Sequence, residues 1–195
     1  MLTVPFVLAS ASPRRHALLH LLGIPFTISP SEIPEVHVPG TEPSALVQHL
    51  ALEKALTVAH RVPEALVLGA DTVVVHNGDV LGKPKDEAEA KSMLTRLSGE
   101  AHCVYTGLAL VHLPTTRRVV VHETTDVFFA EMSTAEIEAY VATGSPMDKA
   151  GAYGIQDDRG ALFIRRIEGD YYNVVGLPLH LLYRTLRTHF PDLMG

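Results

Sequence analysis

The sequence predicts an α/β fold in which helices flank a mixed, strongly twisted sheet. Three observations carry this. Short apolar runs alternate with helix-period segments along the first half of the chain, Asn77-Gly78 marks a tight hairpin, and two β-rich segments lie side by side near the middle. The length, 195 residues, suits one domain over residues 1–195, divided into two lobes.

The elements follow in order. Residues 4–9 are wholly apolar, as a buried strand is, and Ser12-Pro13 supply an N-cap and a proline at the first helical position. A helix over residues 13–22 comes next, ended by Gly23, with Ala17, Leu18, Leu21 and Leu22 as its inner stripe. His16 and His20 fall one turn apart on it. Without a third ligand or an HExxH pattern they read as a solvated or mixed face rather than a metal pair. Residues 26–29 form a second strand, and residues 30–41 lack periodicity, as a lid or binding loop does. Residues 44–61 form a long helix whose apolar face is Leu46, Val47, Leu50, Ala51, Ala55 and Val58, with Lys54 near its centre. That lysine is out of place. Either its stem packs while the ammonium snorkels to the edge, or it delivers a cation into a cleft where an anion binds.

Residues 66–75 are strand-like, interrupted at Gly69-Ala70-Asp71-Thr72, and the Asn77-Gly78 turn sends the chain back. Residues 86–97 form a helix with Asp86 as N-cap, Glu89 at its third position and Gly99 beyond its end. Two β segments, 102–112 and 117–129, are joined at Pro114-Thr115-Thr116. Ser133 and Glu136 make a capping box for a helix that ends before Gly144, residues 161–167 form another strand, and residues 178–189 a terminal helix.

Composition excludes several classes. Twenty-two acidic residues against 16 basic ones give a net charge of −6, which repels a nucleic acid polymer at long range, so any anion must be held by a local basic cluster. The single cysteine, Cys103, rules out an internal disulfide, fits a cytoplasmic location and reads as a small core residue. No apolar run approaches the ~20 residues of a membrane span, and residues 1–10 lack the basic start of a signal peptide, so the protein is expected to stay where it is made.

Four segments have chemical character. In the turn Ala9-Ser10-Ala11-Ser12-Pro13-Arg14-Arg15, a helix N-terminus, two hydroxyls and two guanidinium groups converge on what a phosphate needs. In Gly69-Ala70-Asp71-Thr72 an ionisable carboxylate interrupts an apolar strand. It is either an outward-facing or hydrogen-bonded structural residue, or a metal ligand or base orienting water. Leu81-Gly82-Lys83-Pro84 is no P-loop, because Gly78 and Gly82 enclose three residues and Pro84 stands where a hydroxyl is needed, which leaves a lysine after a tight turn. In the loop from Asp148 to Gln156, small residues allow close approach of a ligand. The Gln156 amide can match the N3–H donor and O4 acceptor of uracil or thymine, or simply be solvated.

Together, LASASPRR (8–15), Glu53-Lys54-Ala55, VLGADTVV (67–74), LGKP (81–84), YTG (105–107), DKAGAYGIQ (148–156) and EGDYYNVVGLPL (168–179) resemble the Maf family of nucleotide pyrophosphatases over nearly the whole chain, and the AYGIQ loop resembles the branch acting on dTTP and UTP. Alanine at position 11 is a mild variation on the family's SxSPRR stretch. The resemblance implies an inosine triphosphatase-like architecture with two lobes around a substrate cleft. It also implies hydrolysis of dTTP and UTP to the monophosphate and pyrophosphate, removal of non-standard nucleotides, and a link to cell division arrest. Carried over by position, it makes Asp71 the catalytic carboxylate and Lys54 and Lys83 its cationic companions, holding phosphates together with Ser10 and Arg15; Arg14, Thr72 and Gln156 are tied to substrate choice. A divalent cation, Mg²⁺ or Mn²⁺, is expected on Asp71 and Glu35, and a homodimer is implied. The rival readings are a regulatory nucleotide-binding protein of septum formation without turnover, and an inosine triphosphatase-like purine house-cleaning enzyme.

Overall fold

Three buried apolar residues form β1 (Phe6–Leu8), and Ser12 then caps α1 (Pro13–His20) by accepting from the Arg15 backbone N–H. The computed structural model describes residues 2–33, 40–157 and 159–195. Helix α1 is shorter than its periodicity suggests and turns Leu18 and Leu19 inward, while Ala17 and Leu21 are exposed. In a two-turn helix the packed face is set by what lies beneath it more than by period. Strand β2 (Thr27–Ile28) is exposed and pairs parallel to β1; α2 (Pro43–Ala59) follows. The middle of the proposed lid loop, residues 34–39 with Glu35, lies outside the described residues.

Strand β3 (Leu66–His76) runs parallel to β1 and continues unbroken through residues 69–72, where an interruption is expected from sequence. Asn77 and Gly78, both at positive φ, turn it into β4 (Asp79–Leu81) with His76 opposite Asp79, as a two-residue hairpin requires. Asp86 caps α3 (Glu87–Leu97). Neighbouring strands β5 (Ala101–His112) and β6 (Arg117–Phe129) are joined by a 3₁₀ turn, Leu113–Thr115, and the Ser133/Glu136 capping box opens α4 (Thr134–Val141) as expected. A series of 3₁₀ turns leads to β7 (Ile164–Glu168), which starts later than the sequence suggests because Gly160–Phe163 is itself a 3₁₀ turn. Helix α5 (Tyr171–Val175), not foreseen from sequence, precedes α6 (Leu179–His189). Among the described residues the sheet has seven strands in the order β2-β1-β3-β5-β6-β7, with β4 on β3, and both parallel and antiparallel pairs occur. The mixed α/β class is therefore present.

The chain divides into two compact units, Met1–Asp71 with Thr106–Glu123 and Gly176–Gly195, and Thr72–Tyr105 with Thr124–Val175. The first has a core rich in small residues, in which Ala51, Ala55 and Ala59 of α2 meet Val7, Ala9, Val67 and Ala109. The second is built on larger side chains, among them Leu94, Phe129, Tyr140 and Tyr153. Cys103, expected in the core, is only half-buried, on the opposite side of β5 from its buried neighbours His102 and Val104. Burial, followed by the nearby Asp126 carboxyl, pushes its thiol up to about 11, so it stays protonated at neutral pH.

His102 in this second core is 4% exposed, with Nε2 2.8 Å from the Tyr153 hydroxyl and its ring edge-on to Phe129. Burial, then repulsion from His76, holds its pKa down to about 3. An unfolded chain binds this proton as pH falls through 6.5, whereas the folded chain does not until about 3, so stability drains away as pH falls through that window. The group should remove about 2 kcal/mol of unfolding free energy between about pH 6.5 and 4.5. Urea titrations of the wild type and His102→Gln at both pH values check this, and an equal loss in the variant would count against it.

Candidate active site

Strand β1 lies between β2 and β3, parallel to both. The chain leaves it through α1 toward β2 and then crosses through α2 to β3, so the connections diverge at the carboxyl ends of β1 and β3. Open α/β sheets bind their ligands at such a point.

Ser10 emerges from β1 there, 7% exposed. Its Oγ accepts from the Ser12 backbone N–H at 3.2 Å and from the Arg15 guanidinium at 3.4 Å, and Arg15 Nε donates to the Gly176 carbonyl at 2.9 Å. The Arg15 fork is thereby held at the start of α1, with Arg14 half-buried beside it and no acidic residue in that first turn. The positive end of the helix and the two arginines in its first turn make this corner attractive to an anion. The two histidines of α1 diverge: His16 Nε2 lies 2.8 Å from the Ser10 carbonyl, and the His20 ring lies 4.8 Å from Phe26.

Lys54 and Asp71 meet because α2 lies almost on the strand backbone. A Cβ at Gly69 would stand 2.1 Å from the Ala51 carbonyl oxygen, and one at Gly107 2.2 Å from that of Val47. Neither strand position can hold a side chain. Asp71 is two residues beyond Gly69, so the alternation of β3 turns it to the face covered by α2. There Lys54 Nζ donates to Asp71 Oδ1 at 2.5 Å, with side chains 8% and 6% exposed. The lysine does not snorkel; it brings its charge inside, and that charge allows an ionised carboxylate to sit within a continuous strand.

Thr72, Lys83 and Gln156 belong to the second unit. Thr72 is half-buried on β3, and Lys83 is exposed just after β4. The Gly82 carbonyl accepts from the Gly151 N–H at 3.1 Å, joining the lysine turn to the loop that ends in Gln156. Gln156 is exposed and lines a pocket of about 390 Å³ with Tyr140, Thr143, Ser145, Asp157 and Arg159. Three polar side chains of this unit, Tyr140, Lys149 and Asn173, have contacts that the sequence did not single out. Lys149, 8% exposed, donates to the Ser145 carbonyl and Asp148 Oδ1 and lies 3.4 Å from Asp157 Oδ2. Tyr140 occupies what looks like an ordinary apolar position of a helix, so periodicity alone hides its hydroxyl. Buried Asn173 donates to the Val104 carbonyl and Thr125 Oγ1, both at 3.0 Å, and so anchors α5.

As for a metal, no three His, Cys, Asp or Glu side chains cluster among the described residues. Mg²⁺, however, commonly takes only one or two carboxylates and completes its shell with substrate phosphates and water. Asp71, a carboxylate on the strand next to β1 with the Lys54 ammonium beside it, suits an ion of that kind.

The strand order, the arginine-bearing helix start and the buried Lys54–Asp71 pair belong to a mixed α/β protein with its charged groups gathered near the carboxyl ends of β1 and β3. The chain matches the family described as Maf-like protein over residues 5–189 and belongs to it. It is 53% identical over 193 residues to a dTTP/UTP pyrophosphatase of Salinibacter ruber, covering 99% of this chain and 95% of that one. It is 55% identical over 189 residues to a dTTP/UTP pyrophosphatase of Moorella thermoacetica, covering 97% of each, and 57% identical over 174 residues to one of Symbiobacterium thermophilum, covering 89% and 88%. Among solved structures, the Staphylococcus aureus Ham1 protein aligns at a TM-score of 0.46 and 16% identity, over 65% of this chain and 72% of that one.

Proposed function

We propose that this chain is a nucleoside triphosphate pyrophosphatase that hydrolyses dTTP and UTP between the α and β phosphates, releasing the monophosphate and pyrophosphate. The buried Lys54–Asp71 pair, on the strand next to the one that leads into the arginine-bearing start of α1, is the observation that carries the chemistry, and the substrate class follows from relatives that are dTTP/UTP pyrophosphatases. No helix among the described residues is long and apolar enough to cross a membrane.

In this reading Ser10, Arg14, Arg15, Lys54 and Lys83 hold the triphosphate and offset its charge. The Asp71 carboxylate accepts a hydrogen bond from the attacking water, aligns it on the α phosphorus and takes its proton as the bond to the bridging oxygen breaks. Pyrophosphate leaves with that oxygen. Mg²⁺ or Mn²⁺, held by Asp71 with Glu35 and phosphate oxygens, would neutralise charge developing on the phosphoryl group. Thr72 and Gln156 bear on the choice of nucleotide, Gln156 by pairing its amide with the N3–H and O4 of the base.

A panel of nucleoside triphosphates assayed for pyrophosphate release tests the reading. UTP and dTTP should lead, and Gln156→Glu should weaken that lead by roughly tenfold, because one acceptor then faces another across a former hydrogen bond. Turnover of purine triphosphates alone would sink the substrate assignment. A nucleotide that raises the melting temperature without releasing pyrophosphate would leave a binding protein instead.

A further inference from the structure

Gln156 sits at a corner whose two ends are tied to one hydroxyl. The Asp157 N–H donates to the Gly154 carbonyl at 3.1 Å, closing a four-residue turn with Ile155 and Gln156 at its centre. The Gly154 N–H donates to the Tyr140 hydroxyl at 3.2 Å, and that hydroxyl donates to Asp157 Oδ2 at 2.7 Å. Ser145 Oγ donates to the same carboxylate oxygen at 2.6 Å, and Lys149 Nζ stands 3.4 Å from it. Tyr140 is itself 1% exposed, its ring edge-on to Phe163 at 5.4 Å. Burial, then the Asp157 carboxyl, pushes its phenol well above the usual range, so it keeps the proton it donates.

A Cβ on Gly154 would lie 2.7 Å from both the Asp157 carboxyl and the Lys149 side chain, so the first residue of the turn is bare where the clamp closes on it. A surface turn does not need a buried phenol, a hydroxyl and an ammonium on one carboxylate to stay folded. Such a set is what holding one exposed amide in a fixed direction requires.

We propose that Tyr140 is a positioning residue for base recognition: through Gly154 and Asp157 its hydroxyl fixes the turn that presents Gln156, and with it the enzyme's preference for uracil and thymine. This rests on Gln156 reading the base. Tyr140 need not touch the nucleotide; it acts by sparing Gln156 the ordering that binding would otherwise impose.

Tyr140→Phe keeps the ring and removes the hydroxyl. The preference for UTP over GTP, as a ratio of kcat/KM, should fall roughly fivefold, the equivalent of one hydrogen bond, with the loss in KM for UTP rather than in kcat. A merely structural role would lower the active fraction and move both nucleotides together. Ser145→Ala, which removes a second donor from the same carboxylate oxygen, should shift the ratio the same way and decides the matter if Tyr140→Phe does not fold. Gln156→Ala is measured alongside. If it lowers the ratio while the clamp variants leave it at the wild-type value, the positioning role is overturned and base reading stands. If it leaves the ratio unchanged, base reading fails and the clamp fails with it.

Discussion

Asp71→Asn should reduce kcat for pyrophosphate release from UTP by roughly 10²- to 10⁴-fold, the range that removal of a positioned general base produces. The substitution keeps the shape and an oxygen for Lys54 to donate to, so the phosphate cradle of Ser10 and Arg15 should survive, and with it nucleotide binding. Steady-state release of pyrophosphate, with binding followed by the nucleotide-induced rise in melting temperature, separates the two effects. Hydrolysis at the wild-type rate would remove Asp71 from the mechanism. Loss of binding together with loss of turnover would recast it as a structural partner of Lys54.

Lys54→Met should have the largest effect on stability. The ammonium is the side chain that meets the Asp71 carboxylate at 2.5 Å, with both groups under a tenth exposed. Removing it strands a negative charge beneath α2, for which a loss of about 3 to 5 kcal/mol is the usual scale. The chemical midpoint of urea unfolding should fall accordingly, and the double variant with Asp71→Asn should recover most of the loss, because no uncompensated charge remains. A single variant as stable as the wild type would mean that water reaches the pair and that the face of α2 is looser than its contacts with Gly69 and Gly107 indicate.

How much of this was legible in the sequence depended on the range of the interaction. The hairpin at Asn77-Gly78 and the caps at Ser12, Asp86 and Ser133 are local, and each stands where its residues place it. Lys54 was conspicuous because a helix wheel makes a charge among alanines visible, although its partner 17 residues away was not. The inner face of α1 was misjudged, since two turns give a weak period and Leu19 is buried by its neighbours. The interruption expected at residues 69–72 rests on a carboxylate within an apolar strand, whereas α2 packs onto Gly69 and supplies the counter-charge of Asp71. The clamp on the Gln156 turn was out of reach altogether. Tyr140 and Asp157 are 17 positions apart, and neither belongs to a spacing pattern that announces a contact.

The bare floor beneath α2 also limits how this protein could be made hardier. Replacing a strand glycine with alanine ordinarily adds about 0.4 to 1 kcal/mol by restricting the unfolded chain, where the native backbone tolerates the methyl. Gly69 and Gly107 do not tolerate it, because helix carbonyl oxygens already stand 2.1 and 2.2 Å from where the new carbon would go. The least adaptable part of the scaffold therefore lies directly beside Asp71. Gains in heat resistance are better sought at the surface, where Leu162 and Leu21 are 75% and 65% exposed.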